Sequence, residues 1–185
     1  RRRRPAAPRH PPPPHSGLSP VRTTVNVTVR WSDLDAYRHV NNVALLQLLE
    51  EARVALFWHG ENGDVAGSSS SGGTGPNGES TAARDSAHFV VRQEIEYLGP
   101  VPYQRHPLDV QMWFSKLGGS SIEVAYEVRS PVETAGDAGQ QIYARAATTV
   151  VKVDAVTGRP VRITAEERAA WEPYLGEPVT FAHRR

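Results

Sequence analysis

No cysteine occurs anywhere in these 185 residues. That excludes disulfides, cysteine-ligated zinc and any thiol nucleophile. No G-x-S-x-G run occurs, so there is no nucleophile-elbow serine. No segment is long and apolar enough to cross a membrane as a helix. Residues 1–22 lack acidic side chains but hold six Arg. The rest of the chain holds 15 basic and 20 acidic residues, a balance of −5 that the overall +1 conceals. Residues 60–87 are nearly devoid of large apolar side chains and rich in Gly and Ser, which reads as a flexible insertion. Within it, GTGPNGES (73–80) nearly matches a phosphate-binding loop. Glu79 stands where that loop needs Lys and no strand precedes it, so the match fails.

The basic segment, RRRRPAAPRHPPPPHSGLSP (1–20), has no apolar stretch of the kind a secretory signal needs. Pro-rich chain favours extended polyproline II and cannot bury a core. Residues 1–21 are therefore expected to form a disordered leader. Its Arg run could meet nucleic acid or anionic lipid, but a solvated leader is the favoured reading and nucleic acid is not an expected partner. The expected location is cytoplasmic.

What is present is patterned. Val25, Val27, Val29 and Trp31 alternate with polar residues, a half-buried strand. Residues 42–60, NVALLQLLEEARVALFWHG, read as a helix that is apolar on most sides, which predicts cover by other structure all round. Four strand patterns follow, at 88–98, 108–117, 121–130 and 141–154. Gly118 and Gly119 join the second to the third at hairpin distance. Residues 164–171 predict a short helix, with Thr164 and Glu167 at capping-box spacing. A strand, a long helix and then consecutive strands argue an α+β fold, one antiparallel sheet curled on one helix. An unpaired edge strand of such a sheet invites edge-to-edge dimerisation.

Between the first strand and the long helix lies RWSDLDAYRHVNN (30–42). A calcium loop opening at Asp33 and Asp35 fails, because Tyr37, Arg38 and Ala44 fall where two ligands and a Gly belong. Asp35, Asn41 and Asn42 are residue types that cap helix N-termini. The same place also offers chemistry. The first N–H groups of a buried helix can polarise a carbonyl. A carboxylate a few residues earlier can attack that carbonyl or activate water.

The run VRWSDLDAYRHVNNVALLQLLEEARV (29–54) resembles the start of hotdog-fold acyl-CoA thioesterases of the 4-hydroxybenzoyl-CoA thioesterase family. The matching positions are Arg30, Trp31, Asp33, Asp35, His39, Val40, Asn41, Asn42, Glu50, Ala52 and Arg53. VRQEIEYLGPV (91–101) and SKLGGSSIEVAYEV (115–128) are similar to later parts of the family. The resemblance covers about residues 22–155 apart from the insertion and implies a hotdog fold; the domain is expected over 22–175, with the insertion at 60–87 and a tail at 176–185. It implies acyl-CoA as substrate, a homodimer or homotetramer with sites between subunits, and neither cofactor nor metal. Asp35 would be nucleophile or general base, and the Asn42 N–H an oxyanion donor. His39 and Asn41 would shape the pocket or order water. Arg92, Lys116, Ser120 and Ser121 would hold the CoA nucleotide, and Tyr97 would line the acyl pocket. A related branch of the fold places its carboxylate on the helix, where Glu50 and Glu51 stand. A non-hydrolytic acyl-CoA-binding protein and a carrier-protein thioesterase stay open as alternatives.

Overall fold

The computed structural model describes residues 21–58, 86–136 and 139–182. The expected leader, apart from Val21, and residues 60–85 of the expected insertion lie outside them.

Strand β1 (Thr23–Val27) ends sooner than its alternation predicts. The Arg30 backbone N–H donates to Asp33 Oδ2 at 2.7 Å, and this closes a short 3-10 turn over Trp31–Asp33. Val29 is still buried, but Trp31 leaves the strand line and is 72% exposed. Helix α1 (Asn42–Trp58) lays Ala44, Leu45, Leu48, Leu49 and Ala52 against the sheet. Each fully buried Leu contributes about 1.5–3 kcal/mol. Its other side, with Val43, Gln47, Glu50, Glu51 and Val54, is exposed. The expected all-round cover is thus corrected. One curved sheet reaches only one face of a helix.

Four longer strands complete the sheet: β2 (Ser86–Tyr97), β3 (Leu108–Leu117), β4 (Ser121–Arg129) and β5 (Ile142–Asp154). All pairings are antiparallel, in the order β1-β3-β4-β5-β2. The inner face presents Val110, Met112, Val124, Tyr126, Val128, Ala144, Ala146 and Val150 to α1 in one continuous core. This is the α+β hotdog arrangement that the resemblance implies. Strand β2 is an edge, 12 residues long, and it exposes Phe89, Val90 and Val91. An edge of that length and apolarity is a ready template for another strand.

Helix α2 (Ala165–Trp171) begins with the expected capping box. Glu167 N–H donates to Thr164 Oγ1 at 3.1 Å, and Thr164 N–H donates to Glu167 Oε2 at 2.8 Å. Trp171, at its end, is buried beside Phe114. The segment expected as a tail then crosses the outer face of the sheet. Gly176 N–H donates to Phe114 O, Trp113 Nε1–H to Glu177 O, and Ala182 N–H to Glu96 Oε1. Among the described residues, no helix is long and apolar enough to cross a membrane.

Candidate active site

The polar stretch between β1 and α1 folds as a tight hairpin. Leu34 and Val40 pair antiparallel, and Asp35 N–H donates to His39 O at 2.8 Å. Arg38 N–H donates to Asp35 O at 3.0 Å, so three residues, Ala36 to Arg38, make the turn. The third position of such a turn needs a left-handed backbone, and Arg38 sits there with φ +64°. A side chain in that region is disfavoured by about 1–2 kcal/mol. Arg38→Gly is therefore expected to raise thermal stability by about 1 kcal/mol, read as a higher unfolding midpoint. A lower midpoint would mean that the arginine side chain itself holds the turn.

Asp35 does not cap α1, as residue type alone allowed. Its Oδ1 accepts from Tyr37 N–H at 2.8 Å and from His39 N–H at 3.1 Å. That fixes the carboxylate within its own turn. Oδ2 accepts no hydrogen bond among the described residues. The cap is Asn41, whose Oδ1 accepts from Val43 N–H at 2.8 Å while its carbonyl accepts from Leu45 N–H. Asn41 N–H in turn donates to Asp33 O at 2.8 Å, which ties the helix start to the hairpin. The Asn42 N–H, first in the helix, meets no acceptor among the described residues. It lies at the positive end of the helix dipole.

The far side of the site comes from the chain after β2. Val40 N–H donates to Val101 O at 2.9 Å, and His39 bridges Pro102. Leu98 and Gly99 both donate their N–H to Tyr143 O, which bends this segment over the helix start. Tyr97 reaches the Asn42 carbonyl through its hydroxyl at 3.4 Å, and burial raises its phenol above the usual range. The result is an open cavity of about 430 Å³ lined by Asp35, His39, Val40, Asn42, Leu45, Tyr97 and residues 98–101.

Of the residues expected at the site, Asp35, His39, Asn42 and Tyr97 come together in this cavity. Asn41 stands just behind it as the cap. Asp33 is buried and bound to Arg30, so it is no rival to Asp35. Glu50 and Glu51 are exposed beside Arg53 and Arg30 and do not line it. Arg92 lies on the outer face of the sheet, paired with Glu94 at 2.7 Å and lining a separate hollow under residues 178–181. Lys116 lies near the end of β3, Ser120 in the β3–β4 turn and Ser121 at the start of β4. Tyr97 pairs with Ala144, whereas Ser121 pairs with Val151. Seven residues along β5 separate the two, about 23 Å at strand rise. Within one chain the β3–β4 turn is thus at the opposite end of the sheet from Asp35. Sequence reasoning had not placed Leu45 or the Leu98–Val101 wall at the site. Gly99-Pro100 directly after a strand was the available signal.

The sequence model of one family, the thioesterase-like superfamily, matches residues 29–171. The match carries that superfamily and not the narrower 4-hydroxybenzoyl-CoA family. The solved structure of YbaW, a probable thioesterase from Escherichia coli, is 27% identical, with 84% of this chain and 98% of that chain covered and a TM-score of 0.58. Two more distant structures share the fold. Slr0204, a 1,4-dihydroxy-2-naphthoyl-CoA thioesterase from Synechocystis, is 19% identical, with 81% and 95% covered and a TM-score of 0.58. The 12:0-ACP thioesterase from Umbellularia californica is 20% identical, with 89% of this chain and 57% of that chain covered and a TM-score of 0.60. No curated protein sequence matches this chain.

Proposed function

This chain belongs to the thioesterase-like superfamily, and on that premise we propose that it hydrolyses the thioester of an acyl-CoA to free acid and CoA. One observation carries the reading. Asp35, whose Oδ2 accepts no hydrogen bond among the described residues, and Asn42, whose N–H meets no acceptor among them, line the same cavity. The thioester carbonyl oxygen accepts from the Asn42 N–H, and the helix dipole stabilises the negative charge that grows on it. Asp35 then acts in one of two ways. As nucleophile it forms a mixed anhydride, the C–S bond breaks, the thiolate takes a proton, and water cleaves the anhydride. As base it takes a proton from water, the hydroxide adds to the carbonyl, and the proton returns to the departing sulfur. His39 borders the space where that water would stand. Asn41 acts through position, by fixing the helix start.

Two copies pairing along the β2 edge would cover its exposed Phe89, Val90 and Val91. A carrier-protein thioester is the second reading, because the fold serves a CoA ester in the Synechocystis protein and a carrier-protein ester in the Umbellularia one. Turnover of one acyl group presented on CoA and on carrier protein separates them. Higher kcat/KM with CoA is expected. A preference for carrier protein would move the substrate assignment to the second reading and leave Asp35 in place.

A further inference from the structure

Large aromatic side chains are mostly buried in folded proteins. Here three are exposed on the two chain segments, 31–37 and 101–103, that run up to the lining of the Asp35 cavity. Trp31 is 72% exposed and Tyr103 is 45% exposed, and their rings meet edge to face at 5.0 Å between centroids. Tyr37, at the tip of the hairpin that carries Asp35, is 81% exposed. Their position follows from the backbone. Val101 lines the cavity and Tyr103 lies two residues on, about 7 Å along extended chain. His39 bridges Pro102, which sets the hairpin tip with Tyr37 and Arg38 beside the segment that carries Tyr103. Arg38 and Arg105 are both exposed, and neither has an ion pair among the described residues. Arg30, by contrast, is tied to Asp33 and Glu51.

Exposed rings interleaved with unpaired guanidinium groups suit a planar base bearing phosphates. The base stacks on a ring face and each guanidinium takes phosphate oxygens through paired N–H donors. We propose that Trp31, Tyr37 and Tyr103, with Arg38 and Arg105, seat the nucleotide end of a CoA thioester whose acyl end enters the Asp35 cavity. This rests on the acyl-CoA reading above and deepens it. The seat would take the role expected of Arg92, Lys116, Ser120 and Ser121, which within one chain lie on the outer face or at the far end of the sheet from Asp35. It also makes a free CoA ester the better substrate, because a carrier-protein ester has no nucleotide to stack.

The test compares an acyl-CoA with the acyl-pantetheine bearing the same acyl group, which lacks the nucleotide. The full chain is expected to prefer the CoA ester. Trp31→Ala and Arg38→Gly should each shrink that preference about five-fold or more, through a higher KM for the CoA ester, as expected for losing one stacking or phosphate contact. Equal losses on both esters would overturn the seat. So would a full chain indifferent to the nucleotide, or a Trp31→Ala protein that becomes monomeric where the parent is dimeric, since the patch would then be a subunit interface. If neither ester is hydrolysed, calorimetry with the adenosine bisphosphate nucleotide of CoA still decides. Binding by the parent that Trp31→Ala abolishes supports the seat, and no binding by the parent overturns it.

Discussion

Replacing Asp35 with Asn is expected to lower thioester turnover by roughly a hundred- to ten-thousand-fold, the range for losing a positioned base or nucleophile, while thermal unfolding stays close to that of the parent. The turn explains the second half of that expectation. Asp35 Oδ1 serves the hairpin by accepting from Tyr37 and His39 N–H, and an amide oxygen can accept the same two bonds. Oδ2 is the atom free to act, and in Asn it becomes an NH₂ that can neither attack a carbonyl nor take a proton. The fall should therefore appear in kcat with KM little changed, since the cavity wall and the Asn42 N–H remain. Turnover equal to the parent's would remove Asp35 from the chemistry. A fall in activity that tracks a fall in stability would reduce it to a turn residue.

Replacing Glu167 with Ala is expected to destabilise the protein by about 3 kcal/mol or more at neutral pH, the lower end of the range for stranding one member of a buried ion pair. Lys152 lies on β5 with its side chain only 4% exposed, and its ammonium meets the Glu167 carboxylate. Glu167 also closes the capping box of α2. Its loss leaves a buried cation unpaired and loosens the cap at once. A variant that also carries Lys152→Met removes the stranded charge and should recover most of the loss, because an apolar side chain of similar length suits the burial. Chemical unfolding of parent, single and double variants measures this directly. No recovery in the double variant would place the effect in the cap rather than the ion pair.

The same pair sets part of the acid sensitivity. Burial pushes the Glu167 carboxyl up, but the bonds from Lys152 and Thr164 and the Lys152 charge outweigh that and hold it below its usual 4.5. A carboxylate depressed on folding adds stability above its unfolded value, and that stability is lost as pH falls through the folded one. His88, in register with Lys152, shifts the same way. Burial first, then the Lys152 charge, lower it below 6.5, so the unfolded chain gains a proton first as pH drops. Stability should thus decline from about pH 6.5 downward, in keeping with linkage, and the Glu167→Ala variant should lack the later part of that decline.

Much of this fold was legible because local signals agreed with the final packing. Period two along β3, β4 and β5, the glycines between β3 and β4, and the Thr164–Glu167 spacing each describe a contact made within one element or one turn. Two errors share a different cause. Trp31 continued the alternation but left the strand, because Arg30 and Asp33 close a turn that alternation cannot see. The apolar circumference of α1 suggested cover on every side, yet a single sheet covers one face. At the site, residue type could not tell which of Asp35, Asn41 and Asn42 caps the helix, because all three suit the role. Only the backbone direction shows that Asn41 caps, Asp35 holds its own hairpin and the Asn42 N–H is left over. The Leu98–Val101 wall was hidden because it reaches the site through the β2–β5 pairing, a relation between segments more than forty residues apart.

The most direct measurement is release of free thiol from an acyl-CoA by the purified full chain. Thiol and free acid should appear in equal amounts, in proportion to protein, over many turnovers per chain. Saturable binding of the ester with thiol appearing only at the rate seen without protein would contradict hydrolysis and leave an acyl-CoA-binding protein in its place.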